Sequence, residues 1–267
     1  MHDREHAHTH DEGAHEHAHD HPRMEIVGNE PPTVELIHGR RERLVARLRA
    51  AAERGGHDPD RLRIVAVTKT WPVSVCRAAL EAGCELLGEN RIQEAEEKIA
   101  QLPEAEWHLV GRLQSNKARR ALRGFRMIQS VDSIGLLGRL DAIAAELELA
   151  PKLLLQVNLS GEATKAGFDP EAFAAAVLPA GEAARAVKEL RSASVQGLMT
   201  VTALGIGEEE QHAAFARLRE LRDTLQDSSG IAMPELSMGM TADAEAAAAE
   251  GATLVRIGTA LFGPRAG

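Results

Sequence analysis

Eight short apolar runs, separated by segments long enough to form helices, constrain the fold of this chain more than any other feature. The runs are residues 64–67, 85–88, 108–111, 127–131, 153–157, 195–199, 236–238 and 254–257. Strands joined through helices pair in parallel, and continuous apolar runs are typical of strands buried on both faces. Eight such units in about 200 residues favour a single (β/α)8 TIM-type barrel, an α/β fold. An open doubly wound sheet is the alternative.

The segments between the runs carry helical patterns, and a further helix precedes the first run. Residues 34–54 place Leu36, Leu44 and Leu48 at helical spacing, and Gly55-Gly56 ends the pattern. The other predicted helices include residues 73–82, 91–102, 133–146, 208–226 and 242–250. We therefore expect the barrel to carry an extra N-terminal helix.

The first residues differ from the rest in composition. Residues 1–22 contain six acidic side chains against one arginine, so they hold five of the chain's nine net negative charges. With few apolar residues they are expected to be a disordered tail, which divides the chain into a tail (1–31) and a barrel (32–267). The tail also contains histidines that could bind a metal weakly, namely His6, His8, His10, His15, His17, His19 and His21. If the tail were the functional element of a metal-responsive protein, removing residues 1–22 would abolish function.

Charge and hydropathy exclude several classes of protein. The chain is 44% hydrophobic and 27% charged, which is typical of a globular domain. No apolar run approaches the ~20 residues of a membrane span, and the first residues do not resemble a secretory signal. We therefore expect a cytoplasmic protein. A net charge of −9 argues against nucleic acid as a partner. Without coiled-coil heptads, the chain is expected to be a monomer.

In a barrel of this kind, functional residues lie at the carboxyl ends of the strands. Lys69 closely follows the first run, so we expect it to be anchored on the strand and to point into the mouth. Burial would disfavour the ammonium form and leave an amine able to attack an aldehyde. A strand-end lysine can equally be a solvated or ion-paired charge, so Lys69 alone does not decide.

Small polar residues accompany the last two runs. Ser237 lies in the seventh run, and Gly258 and Thr259 follow the eighth. Barrels often bind phosphate at these loops, although each residue could also be a simple cap or turn residue. Opposite Lys69, the three residues predict a phosphorylated aldehyde held as a Schiff base. Pyridoxal 5'-phosphate is such a molecule.

Arg256 fits the same interpretation. It precedes Gly258 by two residues, so strand alternation places both on one face. A guanidinium only donates hydrogen bonds, so against a pyridine nitrogen it would keep that nitrogen unprotonated. This would weaken the electron sink that most pyridoxal chemistry needs. A salt bridge to a nearby acid is the alternative role.

Seven motifs follow one another in unbroken order between about residue 34 and residue 265. They are residues 66–70, 88–94, 107–117, 157–167, 197–199, 236–240 and 255–263. Together they resemble the pyridoxal-phosphate homeostasis protein family (YggS/PROSC type). The resemblance implies a barrel like the N-terminal domain of alanine racemases, with pyridoxal 5'-phosphate bound covalently to Lys69.

The resemblance also implies roles for individual residues. The implied cofactor contacts are Ser237, Gly258 and Thr259 on the phosphate, Arg256 facing the ring nitrogen, and Asn90 lining the pocket. Lys165 matches a family lysine that is a candidate second acceptor, although it could equally be a solvated loop charge. The family is implicated in vitamin B6 homeostasis without established turnover, so cofactor buffering or delivery to apo-enzymes is the implied function.

A racemase or related enzyme is the alternative function. Racemisation needs a base on each face of the substrate, and racemases sharing this barrel use a lysine and a partner subunit's tyrosine. This chain contains no tyrosine, and no residues follow Gly267 to form a second domain. We therefore expect a binding protein, not an enzyme. Two further departures concern the site: Thr200-Val201-Thr202, where the family usually has a small residue and prolines, predicts a differently shaped sixth-strand loop, and the absence of a terminal aromatic residue removes a family contact with the cofactor from that end.

Overall fold

The eight predicted strands close into one barrel. The structure, a computed structural model, describes residues 31–162, 165–203 and 205–264. All strands pair in parallel in sequence order, and the last pairs with the first. The strands are β1 (Arg63–Val67), β2 (Leu86–Glu89), β3 (Glu106–Leu109), β4 (Met127–Val131), β5 (Lys152–Gln156), β6 (Ser194–Met199), β7 (Glu235–Ser237) and β8 (Leu254–Ile257). The predicted (β/α)8 barrel is confirmed.

Helices surround the barrel and precede it. They are α1 (Val34–Arg54), α2 (Val73–Glu81), α3 (Ile92–Gln101), α4 (Ala118–Gly124), α5 (Ile134–Glu146), α6 (Pro170–Ala176), α7 (Glu182–Glu189), α8 (Glu208–Ser229), α9 (Ala244–Ala249) and α10 (Thr259–Phe262). The extra helix α1 has the predicted bounds, and the Thr33 hydroxyl caps it by accepting from the Leu36 N–H. The predicted tail lies outside the described residues, so the boundary near residue 31 stays a prediction.

One strand ends earlier than predicted. The apolar run at 108–111 predicts a strand that reaches Gly111, whereas β3 ends at Leu109. The N–H groups of Val110 and Gly111 both donate to Glu89 O, which a regular ladder does not allow. A Cβ on Gly111 would lie 2.2 Å from Asn90 O, so only glycine permits this approach. The chain therefore turns over the end of β2 at the barrel mouth.

Apolar side chains fill two separate layers. One cluster lies inside the barrel and the larger one lies between the strands and the helices. The inner cluster consists of Val65, Leu86, Met127, Leu154, Met199 and Leu254. Successive residues on a strand point to opposite faces, so Ile64 and Ala66 belong to the outer layer. Buried polar residues occupy the part of the barrel interior that the inner cluster does not fill.

Helix α1 fixes the position of the short helix α10 beside the mouth. Arg40 Nη1 donates to Leu261 O at 3.0 Å. At the other end of α1, a Cβ on Gly55 would lie 1.9 Å from Ala249 O in α9. The N-terminal helix thus packs against both elements that follow the last two strands. Within the described residues, no helix is long and apolar enough to cross a membrane.

We expect Gly138→Ala to stabilise the protein. Gly138 lies inside α5, and a Cβ there would meet no atom within 4 Å. Alanine should raise the free energy of unfolding by about 0.5–1 kcal/mol, because it loses less backbone entropy on folding. Urea denaturation measures the change. The exposed Ala142→Gly in the same helix should lower stability by a similar amount, and a loss with Gly138→Ala would contradict the expectation.

Candidate functional site

Lys69 lies where the sequence predicts it, just beyond the carboxyl end of β1. Its side chain is half-buried, and a turn follows in which the Trp71 N–H donates to Thr68 O at 3.0 Å. Thr70 in this turn has a φ of 66°, which is unfavourable for a residue other than glycine. The Trp71 ring packs against Phe262, with ring centroids 6.1 Å apart. This contact holds the Lys69 segment beside α10.

Gly258 and Thr259 adjoin the same segment. Ile257 pairs with Ala66 of β1, and a Cβ on Gly258 would contact Val67 O at 3.4 Å. Thr259 begins α10 and is exposed. The Ala260 N–H donates to the Thr241 hydroxyl at 3.4 Å, which connects the loops after β7 and β8. The structure therefore brings Lys69 and these two predicted residues to one side of the mouth.

Arg256 and Ser237 form a buried pair inside the barrel. Arg256 Nη1 donates to Ser237 Oγ at 2.7 Å, and Nη2 donates to Thr200 O at 2.7 Å. Burial lowers the pKa of Arg256 to about 10, with the charge of Asp243 acting in the opposite direction. Within the described part of the chain, no carboxylate lies at ion-pair distance from Arg256. The salt-bridge alternative therefore does not apply among those residues.

The hydrogen bonds continue from Ser237 across the barrel interior. Ser237 Oγ donates to Gln129 Oε1 at 2.6 Å, and Gln129 Nε2 donates to His108 Nδ1 at 2.9 Å. His108 Nε2 can then donate to Glu106 Oε1, 3.2 Å away. This bond is the main reason that the pKa of Glu106 is lowered. All donors point from Arg256 towards Glu106, and we call this series the interior relay.

The sequence predicts only part of the interior relay. His108 is expected to be a satisfied core or pocket-wall residue, and its two ring contacts agree with that expectation. Gln129 belongs to none of the motifs, and it lies 108 positions from its partner Ser237. Ser237 is fully buried and its hydroxyl already bonds to Arg256 and Gln129. Its predicted contact with a phosphate stays a prediction.

Asn90 lies at the end of β2, half-buried at the rim of the mouth. It lines a cavity of about 280 Å³ with Arg91, Arg112 and Lys117. A wider cavity of about 680 Å³ lies between the loops after β3 and β4, where Arg112 and Arg139 contribute to its wall. Both cavities are basic grooves beside the mouth. The predicted role of Asn90 in the pocket is compatible with this position.

Lys165 lies in the loop after β5. Its Nζ forms an ion pair with Glu162 Oε1 at 2.7 Å, and its side chain is one-third exposed. The Asn158 side chain ties the loop together by donating to Glu162 O and Lys165 O. The structure thus gives Lys165 an ion-paired loop position. The role of Lys165 as a second acceptor stays a prediction.

The loop after β6 differs from the usual family pattern, and the structure shows what its threonines do. The Thr202 hydroxyl donates to Asp243 Oδ2 at 2.7 Å, and Asp243 Oδ1 accepts from the Met240 N–H at 2.6 Å. The Thr200 hydroxyl donates to Val157 O. These bonds connect the ends of β5, β6 and β7. The loop after β6 is therefore tied to the neighbouring strand ends, next to Arg256, which donates to Thr200 O.

Metal binding remains a prediction for the tail. In the part of the chain that the structure describes, no group of three or more His, Cys, Asp or Glu side chains could hold a metal ion. The predicted weak site lies outside the described residues. Its members are His6, His8, His10, His15, His17, His19 and His21.

We expect Gln129→Leu to destabilise the protein. The substitution removes the amide that joins His108 Nδ1 to Ser237 Oγ and leaves both buried groups short of a partner. An unpaired buried polar group costs about 1–3 kcal/mol. The free energy of unfolding from urea denaturation should fall by that amount. The exposed Gln101→Leu should change it by less than about 0.5 kcal/mol, and an equal effect of both would contradict the relay.

Comparison with known proteins decides the family. The family model described as "Alanine racemase, N-terminal domain" matches residues 41–266. A curated pyridoxal phosphate homeostasis protein of Pseudomonas aeruginosa is 44% identical over 226 residues, which cover 84% of this chain and 93% of that protein. The chain belongs to the pyridoxal phosphate homeostasis protein family. The resemblance drawn from the motifs is thereby confirmed.

Solved structures agree with this family and with the barrel. PipY of Synechococcus elongatus, a structure with PLP bound, has a TM-score of 0.70 and 41% identity, and the match covers 80% of this chain and all of PipY. An alanine racemase of Streptomyces lavendulae has a TM-score of 0.67 at 21% identity, covering 87% of this chain and 59% of that protein. The racemase likeness shows the fold alone.

Proposed function

We propose that this protein binds pyridoxal 5'-phosphate as a Schiff base on Lys69 and acts in intracellular pyridoxal phosphate homeostasis. Lys69 at the end of β1, beside Gly258 at the end of β8, is the observation that carries the proposal. The family members named as homeostasis proteins and the PLP-bound PipY structure support it. Buffering a reactive aldehyde, or delivering it to apo-enzymes, follows from reversible covalent capture.

The donor set at the mouth fits this cofactor. Pyridoxal phosphate presents an aldehyde, a dianionic phosphate and a ring nitrogen that accepts a hydrogen bond. The chain offers a lysine amine, the first N–H groups of α10 and a buried guanidinium. Gly258 lies against the end of β1, where a Cβ would come to an ordinary contact distance of 3.4 Å from Val67 O. Each group of the cofactor thus has a residue of matching chemistry.

Each candidate residue has one assigned task. Lys69 would supply the amine for the aldehyde of the cofactor. Gly258 and Thr259 would hold the phosphate through their backbone N–H groups and the Thr259 hydroxyl. Arg256 would donate to the ring nitrogen and hold it unprotonated while it also donates to Ser237 Oγ, and Ser237 stays a predicted phosphate contact. Asn90 forms the wall opposite, and Lys165 is the candidate second acceptor.

The bound cofactor supplies an electrophilic carbon and, when its ring nitrogen is protonated, an electron sink. A guanidinium at that nitrogen favours binding of the cofactor over turnover of a substrate, since arginine does not readily give up its proton to the ring. The absence of tyrosine from the sequence also disfavours the racemase alternative. We therefore propose a non-enzymatic, cytoplasmic monomer whose partners are the cofactor and its acceptor enzymes.

Two experiments test this proposal. Purified protein supplied with pyridoxal 5'-phosphate should turn yellow and keep the colour through gel filtration, and it should restore activity to an apo-enzyme that depends on the cofactor. Protein that stays colourless would overturn cofactor binding.

In the second experiment, the loaded protein is incubated with single amino-acid enantiomers. Optical purity should be retained, and catalytic racemisation would establish the enzyme alternative instead.

A further inference from the structure

A buried ion cluster lies directly behind the Lys69 segment. Lys98 Nζ in α3 lies 2.7 Å from Glu89 Oε1 and 2.8 Å from Glu94 Oε1. The Lys98 and Glu89 side chains are 7% and 0% exposed. We call these three residues the Lys98 cluster. None of them belongs to the predicted cofactor contacts.

The Lys98 cluster binds both peptide groups that flank Lys69. Lys98 Nζ donates to Thr68 O at 2.9 Å, which is the carbonyl just before Lys69. The Thr70 N–H, just after Lys69, donates to Glu94 Oε1. The Thr68 hydroxyl adds a bond of 2.7 Å to Glu89 Oε1. The backbone on each side of the lysine is therefore tied to one buried group of charges.

The conformation that these bonds hold is a strained one. Thr70 has a φ of 66°, a left-handed conformation that costs about 1–2 kcal/mol for an L-residue other than glycine. Such a conformation persists only where its surroundings fix it. The carboxylate of Glu94 does so by accepting the Thr70 N–H. Without that bond, the segment could relax and turn Lys69 away from α10.

Burying the charges of the Lys98 cluster also costs free energy. Burial opposes the charge on Lys98, but the hydrogen bonds that Lys98 donates to Glu89 and Glu94 outweigh this effect and raise the pKa of the ammonium group. Burial raises the pKa of Glu89, and its Oε2 has no hydrogen-bond partner among the described residues. Apolar residues of similar size commonly replace such groups without loss of stability. A role in stability alone is therefore a poor explanation for this cluster.

We propose that Lys98, Glu89 and Glu94 are positioning residues that fix the backbone around Lys69, so that its amine is presented to the aldehyde of the cofactor. This inference rests on the proposed function of Lys69. Lys98 acts at the carbonyl side of the lysine and Glu94 at the amide side, while Glu89 holds the Lys98 ammonium group in place. The cluster has no direct contact with the cofactor in this account.

The test compares Lys98→Met with the wild type and with Lys188→Met in the full chain. Lys188 is an exposed lysine on α7, so its substitution makes the same chemical change away from the mouth. The apparent dissociation constant for pyridoxal 5'-phosphate should rise about tenfold in Lys98→Met, which is about 1.4 kcal/mol. Borohydride trapping should also place a smaller share of the pyridoxyl group on Lys69. Lys188→Met should match the wild type in both measurements.

A second pair of variants separates positioning from stability. Glu94→Gln keeps an oxygen that can accept the Thr70 N–H, whereas Glu94→Met does not. Glu94→Gln should bind the cofactor more tightly than Glu94→Met when both are compared at equal folded fraction, measured by circular dichroism. This pair of variants tests the positioning role even if Lys98→Met does not fold.

The outcomes distinguish the two proposals. Suppose that the wild type carries the pyridoxyl group on Lys69, and that Lys98→Met and Glu94→Met bind the cofactor with wild-type affinity and trap it in wild-type yield. The positioning role is then wrong while the proposed function stands. If affinity falls only in proportion to the folded fraction, the cluster is purely structural and the inference is also overturned. If the wild type itself leaves Lys69 unmodified, the proposed function fails and the inference fails with it.

Discussion

Lys69→Ala should abolish covalent binding of pyridoxal 5'-phosphate. The substitution removes the amine at the end of β1 and leaves Gly258, Thr259 and Arg256 in place. Those residues can still hold the phosphate and the ring, so we expect weak non-covalent binding to remain. The apparent dissociation constant should rise by about 100-fold or more, which corresponds to about 2.7 kcal/mol. Titration monitored by visible absorbance measures both the affinity and the loss of the covalent chromophore.

A matched lysine provides the control. Lys152 is exposed at the start of β5, at the opposite end of the barrel from the mouth. Lys152→Ala should bind the cofactor like the wild type. Lys165→Ala is an informative third variant, because its retained binding would place Lys165 outside the primary site. Wild-type affinity in Lys69→Ala would show that the Schiff base is not formed at this residue.

Arg256→Lys should weaken both the fold and cofactor binding, although it conserves the positive charge. Arginine reaches Ser237 Oγ and Thr200 O with two different nitrogens, each at 2.7 Å. The single ammonium group of lysine cannot reproduce this planar fork. At least one buried acceptor would lose its donor, at a cost of about 1–3 kcal/mol. Urea denaturation of the cofactor-free protein should show a fall of that size.

The control for this prediction is an exposed arginine. Arg77 lies on the surface of α2, where Arg77→Lys should change the free energy of unfolding by less than about 0.5 kcal/mol. Cofactor affinity should fall in Arg256→Lys and not in Arg77→Lys. If Arg256→Lys is as stable as the wild type and binds equally well, neither the interior pair nor the contact with the ring nitrogen has the role proposed for Arg256.

Hydrophobic pattern alone predicted the barrel, because strands buried on both faces leave a simple signal in the sequence. The run at 254–257 matches β8 in both bounds, and the run at 127–131 matches β4. Strand ends were less predictable where the chain bends. At β3, the hydropathy of Val110 and Gly111 suggests a strand, whereas their N–H groups share the Glu89 carbonyl. Pairing with a neighbouring element, which no local pattern records, decides such ends.

The positions of the candidate site residues at strand ends could be predicted, and the residues that support them could not. Lys69 and Arg256 follow from strand order and alternation, since the topology of a barrel brings the ends of β1 and β8 together. Glu89 lies at the end of β2 and pairs with Lys98 of α3. Gln129 was missed, because its partner Ser237 lies on a strand far along the chain. A buried glutamine carries no sequence signal for which group it satisfies.

Peptide mass mapping after borohydride reduction tests the central claim most directly. The full chain is loaded with pyridoxal 5'-phosphate, reduced, digested and searched for the stable pyridoxyl modification on each lysine. Our account predicts the modification on Lys69 in most of the protein. A protein that is left unmodified, or modified at other lysines while Lys69 stays free of the pyridoxyl group, would contradict it.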